Sequence, residues 1–133
     1  MAPERFPPDD PREWLNRARS NLARAQARMA GVYLEDLCFD AQQASEKAIK
    51  ALLIKRGVAF PYIHDLARLV TLLEEAGQDI PESVRQVESL TRYAVVTRYP
   101  GLAEPVTEVH YQEAVATADA VVQWVEEQIR SDA

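Results

Sequence analysis

The chain has 133 residues and a net charge of −6 at pH 7, with 47% hydrophobic and 27% charged residues. This length suffices for one domain with a substantial core, and the composition is ordinary for a globular protein. The negative charge disfavours broad, non-specific nucleic-acid binding, and no apolar run approaches the roughly 18 residues needed to span a membrane.

The N-terminus and the cysteine content bear on the cellular compartment. The first residues, MAPERFPPDDP, lack the apolar core of a secretion signal. The single cysteine, Cys38, excludes a disulfide within the chain and lies among apolar residues, where a thiol behaves as a small hydrophobic group. We therefore expect a cytoplasmic protein with no membrane partner.

The chain divides into a proline-rich N-terminal segment and a helical remainder. Residues 1–10 are predicted to form a flexible arm, and residues 11–131 a single helical domain. Asp10 is the predicted N-cap of the first helix, and Pro11 fits its first position. Glu13 is predicted to complete a capping box with Asp10.

The longest helical pattern extends from Tyr33 to Arg56. Its apolar residues recur at steps of three and four, as on one face of an α-helix. They are Leu34, Leu37, Cys38, Ala41, Ala44, Ala48, Ile49, Leu52 and Leu53. Because the first helix is predicted to reach about Met29, the connection is short and favours an antiparallel hairpin. Glu46 and Lys50 form an i,i+4 pair of a type that stabilises a helix by about 0.2–0.5 kcal/mol.

Three further helical patterns follow this central helix. Helices are predicted from about His64 to Ala76, from Pro81 to an end that the pattern leaves open, and from Thr107 or Glu108 to about Arg130. Their apolar stripes comprise Leu66, Leu69, Val70 and Leu73; Val84, Val87, Leu90 and Ala94; and Val115, Ala118, Val121, Val122, Val125 and Ile129. The sequence thus predicts an all-α protein, an up-and-down bundle of four or five helices.

The common catalytic and cofactor motifs are absent from the sequence. It has no glycine-rich phosphate loop, no nucleophile elbow and no Cys/His cluster. Neither of the two histidines has another histidine or a cysteine at helical spacing. We therefore expect no metal and no cofactor, and the chemistry favours a binding or interaction protein over an enzyme.

Two Arg-Tyr pairs are candidate ligand-binding residues. They are Arg92-Tyr93 and Arg98-Tyr99, and a predicted Pro100-Gly101 turn directly follows the second pair. Arginine can bind phosphate through two donors, and tyrosine can stack on a nucleobase. The alternative is that these residues hold the loop against the bundle.

A second set of candidates lies near the third helix and on the central helix. His64 or Asp65 can cap the third helix, or His64 beside exposed backbone N–H groups can help to bind a phosphate. Lys47 and Lys50 lie on the polar side of the central helix. They could add positive charge to the same site, or they could simply keep that side in water.

The ordered set of motifs resembles the HEPN domain family, the higher eukaryotes and prokaryotes nucleotide-binding domain. The motifs are FDAQQASEKAIKAL at 39–52, IHDL at 63–66, TRYPG at 97–101 and HY at 110–111, and the resemblance extends from about residue 12 to 130. It implies a helical bundle that usually forms a homodimer. It also implies a nucleotidyltransferase-like partner, often in a prokaryotic toxin–antitoxin pair whose HEPN member is a metal-independent ribonuclease.

The ribonuclease members carry an Arg-x4–6-His motif, which this sequence lacks. Seven residues separate Arg56 from His64, and eleven separate Arg98 from His110. The resemblance then implies a non-catalytic member that binds a nucleotide or nucleic acid, or pairs with a minimal nucleotidyltransferase. The carried-over candidates are Arg98 and Tyr99, with His64 and His110. The alternatives are a ribonuclease toxin that uses a displaced pair, such as Arg98 with His110, and a structural adaptor.

Overall fold

The computed structural model describes residues 2–94 and 105–131, and all regular structure in these residues is helical. The elements are α1 Pro11–Gln26, α2 Leu34–Lys55, α3 Leu66–Glu75, α4 Glu82–Arg85, a 3₁₀ helix Gln86–Ala94 and α5 Glu108–Ser131. The predicted all-α bundle is confirmed. Within this part of the chain, none of the helices combines the length and the apolar character that crossing a membrane requires.

The start of α1 confirms one part of the cap prediction and corrects another. The Asp10 carboxylate accepts a hydrogen bond from the backbone N–H of Arg12 at 2.9 Å, so Asp10 is the N-cap. The predicted capping box does not form, because the Asp10 N–H donates to the carbonyl of Pro7. The Glu13 carboxylate instead accepts from the backbone N–H of Phe6 at 2.9 Å, which joins α1 to the segment before it.

The first helix is shorter than predicted. It ends at Gln26, and Ala27 already has an extended backbone. The helical pattern of α1 continues in the sequence to Met29. This side chain is 68% exposed, so no packing stabilises another helical turn there. The connection to α2 therefore spans residues 27–33, and it contains Gly31 with a positive φ of 84°.

Helix α2 is the centre of the bundle and packs against α1, α3, α5 and the 3₁₀ helix. Its small residues are fully buried, which lets neighbouring helices approach closely; they are Ala41, Ala44, Ala48 and Ala51. Burial also extends to the side that the sequence indicated as polar, where Gln42, Ser45, Glu46 and Lys50 are buried. The buried polar residues therefore include Lys50, one of the candidate ligand-binding residues.

The third and last helices follow their predicted stripes. Asp65, not His64, caps α3, because its carboxylate accepts from the backbone N–H of Arg68 at 3.3 Å. All four residues of the predicted α3 stripe are buried. Helix α5 starts at Glu108 as predicted, and its stripe faces α2 and α1.

The predicted fourth helix is only one turn of α-helix followed by a 3₁₀ helix. Pro81 is the N-cap of α4 and not its first residue. The next nine residues, Gln86–Ala94, form a 3₁₀ helix, which is long for this type of helix. Its buried residues follow steps of three that match three residues per turn, and they are Val87, Leu90 and Tyr93, with Ala94 also buried.

Candidate functional site

A buried carboxylate, Glu46, is the centre of a polar network on α2. Its Oε2 accepts from the Lys50 ammonium at 3.0 Å, and its Oε1 accepts from the Gln42 amide at 2.9 Å. The same Oε1 lies 2.8 Å from Nδ1 of His64. The side chains of Glu46 and Lys50 are only 4% and 5% exposed. The predicted i,i+4 pair is therefore present, but it is a buried ion pair and not the solvated one that the sequence indicated.

Three aromatic rings surround the Lys50 ammonium. Its Nζ lies 5.9 Å from the ring centroid of Trp14, 5.6 Å from that of Phe60 and 5.7 Å from that of Tyr62. Such distances allow cation–π attraction, which is strongest where the cation is removed from water. Trp14 and Phe60 also meet edge to face, with centroids 6.3 Å apart. The rings and Glu46 together hold Lys50 in a fixed position.

This network forms one wall of a groove with a volume of about 520 Å³. The groove lies between the N-terminal segment, α1, α2 and the loop before α3. Its charged lining residues are Arg5, Arg17, Lys47 and Lys50 against Glu13 and Glu46, with His64 beside them. Permanent cations therefore outnumber carboxylates in the groove, although the whole protein has a net charge of −6.

Glu13 fastens the N-terminal segment at the edge of the groove. Besides the N–H of Phe6, its carboxylate binds Arg17 at 2.7 Å and Arg5 at 3.1 Å. The hydrogen bond from Phe6, followed by that from Arg17, lowers the pKa of Glu13. Both carboxylates of the groove are thus already bound to cations of this chain.

Lys47 differs from the other cations of the groove because its direct partner is neutral. Its Nζ donates to the amide oxygen of Asn21 at 2.8 Å, and the amide nitrogen of Asn21 donates to Asp40 at 3.2 Å. Burial, and then the charge of Arg17, lower the pKa of Lys47. Glu46 and Asp40 attract the charge of Lys47 from a distance, but among the described residues no carboxylate forms an ion pair with it.

The structure brings three of the predicted site residues together. His64, Lys47 and Lys50 all line the groove. The alternative that Lys50 only solvates the helix is wrong, since this residue is buried between Glu46 and the aromatic rings.

The other predicted residues are not in the groove. Arg92 and His110 line a separate cavity of about 340 Å³ between the 3₁₀ helix and α5. The Arg92 guanidinium donates to the hydroxyl of Tyr93 at 3.1 Å and lies 4.8 Å from its ring centroid. Arg98 and Tyr99 lie outside the described residues, so their predicted role stays a prediction.

Sequence reasoning missed the residues that α1 and the loop contribute to the groove. The positions of Trp14, Arg17 and Tyr62 in the groove were not predicted. A signal does exist, because polar residues repeat at steps of three and four on both helices. They are Glu13, Arg17 and Asn21 on α1, and Gln42, Gln43, Glu46, Lys47 and Lys50 on α2. Two such stripes on an antiparallel helical hairpin predict a shared polar seam.

Neither a metal site nor a reactive thiol is evident in the described ranges. Residues 2–94 and 105–131 contain no group of three or more histidine, cysteine, aspartate or glutamate residues arranged to hold a metal ion. Burial raises the pKa of the Cys38 thiol to about 11, which keeps it protonated at neutral pH. What the groove offers is therefore cations, aromatic rings and one carboxylate-bound histidine.

The helical architecture is shared with proteins of known structure. The model of the HEPN domain family matches residues 11–128, and the chain belongs to this family. It is similar to TT1696 from Thermus thermophilus, with 37% identity and a TM-score of 0.76 over 88% of this chain and 96% of that one. It is also similar to ST0689, an archaeal HEPN homologue, with 28% identity and a TM-score of 0.71 over 90% and 98% of the two chains. No curated protein is significantly similar to the chain.

Proposed function

We propose that this HEPN-domain protein binds a nucleotide, or one nucleotide unit of an RNA, in the groove between α1 and α2, and that it does so without catalysis. The observation that supports the proposal is the positive groove lined with aromatic rings on a negatively charged protein. Cations and rings are the two features that a phosphate and a base require.

The lining divides into two halves that fit the two parts of a nucleotide. Lys47 and Arg17 supply donors and positive charge for the phosphate. Tyr62 is 98% exposed, so its ring can accept a stacked base at a gain of about 1–3 kcal/mol. This division favours a small ligand over a long nucleic acid, since the overall charge repels a polyanion.

Two lysines of α2, Lys47 and Lys55, allow a matched test of nucleotide binding in the groove. We expect a nucleoside monophosphate or a dinucleotide to raise the Tm of the wild type, because a ligand at 100 times its Kd stabilises the native state by about 2.7 kcal/mol. Lys47→Met removes the cation from the groove and weakens binding at least tenfold. Lys55→Met removes the same charge from the exposed end of the same helix and leaves the affinity unchanged. Calorimetric titration of all three proteins with the four monophosphates measures these affinities.

Two results would contradict the proposal. Equal losses in both variants would mean that the ligand responds only to net charge. If no nucleotide binds the wild type at low salt, the groove is not a nucleotide site, and the structural adaptor becomes the better interpretation. Arg98→Ala in the same titration tests the predicted Arg-Tyr site independently.

We also propose a homodimer and pairing with a nucleotidyltransferase-like protein, as the family resemblance implies. One end of the bundle exposes the apolar side chains of Met29, Tyr33 and Val109. An ion pair of Arg28 with Glu108 holds the loop between α1 and α2 beside the start of α5. Light scattering is expected to give twice the chain mass of 15.0 kDa, and Met29→Glu to shift the mass towards one chain. A wild type of single-chain mass at micromolar concentration would contradict the dimer.

A further inference from the structure

The orientation of His64 gives its two ring nitrogens different environments. Nδ1 lies 2.8 Å from the buried Oε1 of Glu46. The His64 side chain is 57% exposed and lines the groove. A carboxylate oxygen only accepts, so in the neutral ring Nδ1 carries the proton and Nε2 is an acceptor. The nitrogen that remains for a ligand is therefore Nε2.

We propose that binding of an anionic ligand in this groove is coupled to the uptake of one proton by His64, an inference that rests on the proposed function. In the neutral ring, the Nε2 lone pair meets a phosphate oxygen, and two acceptors cannot form a hydrogen bond. In the protonated ring, Nε2–H donates to the phosphate while Nδ1–H still donates to Glu46. The ligand and the proton therefore each favour the binding of the other.

The charges around His64 fit this coupling. Glu46 is the carboxylate in contact with the ring, and its other oxygen is already bound to Lys50. On the α1 side, Arg17 is paired with Glu13, which also binds Arg5 of the N-terminal segment. Asp65, next in the chain, caps α3 and binds the N–H of Arg68.

Lys47 completes the charges of the groove and opposes a second positive charge on His64. It is the groove cation without a carboxylate partner among the described residues. Protonation of His64 adds a further cation to the same wall. An anionic ligand neutralises both charges, so binding of the ligand favours proton uptake by His64.

The proposed coupling makes the affinity for the ligand depend on pH. The ligand binds the protonated form better, so affinity rises as pH falls. For one linked proton, Kd increases by up to tenfold for each pH unit over the range in which the ring is neutral in the free protein and protonated in the complex. The affinity is measured between about pH 5.5 and pH 8.5, a range that includes pH values at which histidine side chains commonly change charge.

The experiment is a calorimetric titration with a dinucleoside phosphate, a diester whose own charge is constant over this range. The wild type is compared with His64→Gln, which can hydrogen-bond to Glu46 but cannot titrate, and with His110→Gln, which changes the histidine of the other cavity. The protein has only two histidines, so NMR resolves the titration of each ring. The His64 resonance is expected to titrate at a higher pH in the complex than in the free protein.

Coupling predicts that affinity falls at least tenfold from low to high pH in the wild type and in His110→Gln, and stays flat in His64→Gln. Binding with a flat pH profile in the wild type would overturn the coupling and leave the proposed function standing. A pH dependence that survives in His64→Gln would also overturn it, because another group then carries the proton. If the ligand binds at no pH, the proposed function fails, and the coupling fails with it.

Discussion

Replacing Glu46 with alanine is expected to lower the free energy of unfolding by about 3–5 kcal/mol, the range for removing one partner of a buried ion pair. The substitution leaves the Lys50 ammonium, 5% exposed, with no carboxylate of the described residues in contact. The amide of Gln42 loses its acceptor, and Nδ1 of His64 loses its partner. Urea denaturation of the wild type and the variant measures the loss as a shift of the transition midpoint.

A double-substitution cycle separates the stability that comes from the ion pair from the stability that comes from side-chain packing. Glu46→Leu together with Lys50→Met replaces both charges by apolar groups, and such exchanges are often neutral or stabilising. We expect the double variant to recover most of the stability that either single variant loses. Equal losses in the double variant and in Glu46→Leu alone would show that the packing of the side chains, and not the unpaired charge, carries the effect.

An exposed ion pair provides the matched control. Arg85 of α4 and Glu74 of α3 lie 2.6 Å apart, and each side chain is more than one-third exposed. Exposed pairs contribute little, because water screens both charges and holding the side chains costs entropy. Glu74→Ala should therefore cost far less than Glu46→Ala, although its ion pair is shorter. A similar loss for both would contradict the assignment of the effect to burial.

The architecture could be predicted from the sequence because most helices here bury one apolar face. The α3 stripe was identified residue by residue, and Gly57 ends α2 with a positive φ of 71°, as a helix stop requires. The two failures have different causes. Met29 matches the α1 pattern but lies in solvent, and Gln86–Ala94 forms a 3₁₀ helix whose three-residue step also fits an α-helical pattern.

The candidate groove was harder to predict because it depends on the burial of polar residues. The sequence does not indicate which polar residues are buried. Glu46 and Lys50 have the spacing of a solvated pair, and the three rings that lie near Lys50 come from other segments of the chain. Two of those rings, Phe60 and Tyr62, belong to a loop whose path is not periodic. Its position before the third helix suggested that His64 could bind a phosphate, but its contact with Glu46 depends on the folded loop.

Helix α3 gives a test of the predicted stripe in which two leucines of one helix differ only in burial. Leu69 is fully buried, whereas Leu72, one turn further on, is only partly buried against the core. Leu69→Ala is expected to cost about 2–5 kcal/mol, because lost transfer energy and a residual cavity add together. Leu72→Ala makes the same change in helix propensity but should cost less than half as much.

The expected difference follows from the way a short helix is stabilised. Ten residues form only a marginal helix in water, so α3 depends on packing its stripe against α2 and the 3₁₀ helix. Leu69 takes part in that packing with its whole side chain, and Leu72 with only part of it. Denaturation midpoints at equal m-values measure the two losses. Equal losses would mean that helix propensity, and not the buried stripe, holds α3 in the bundle.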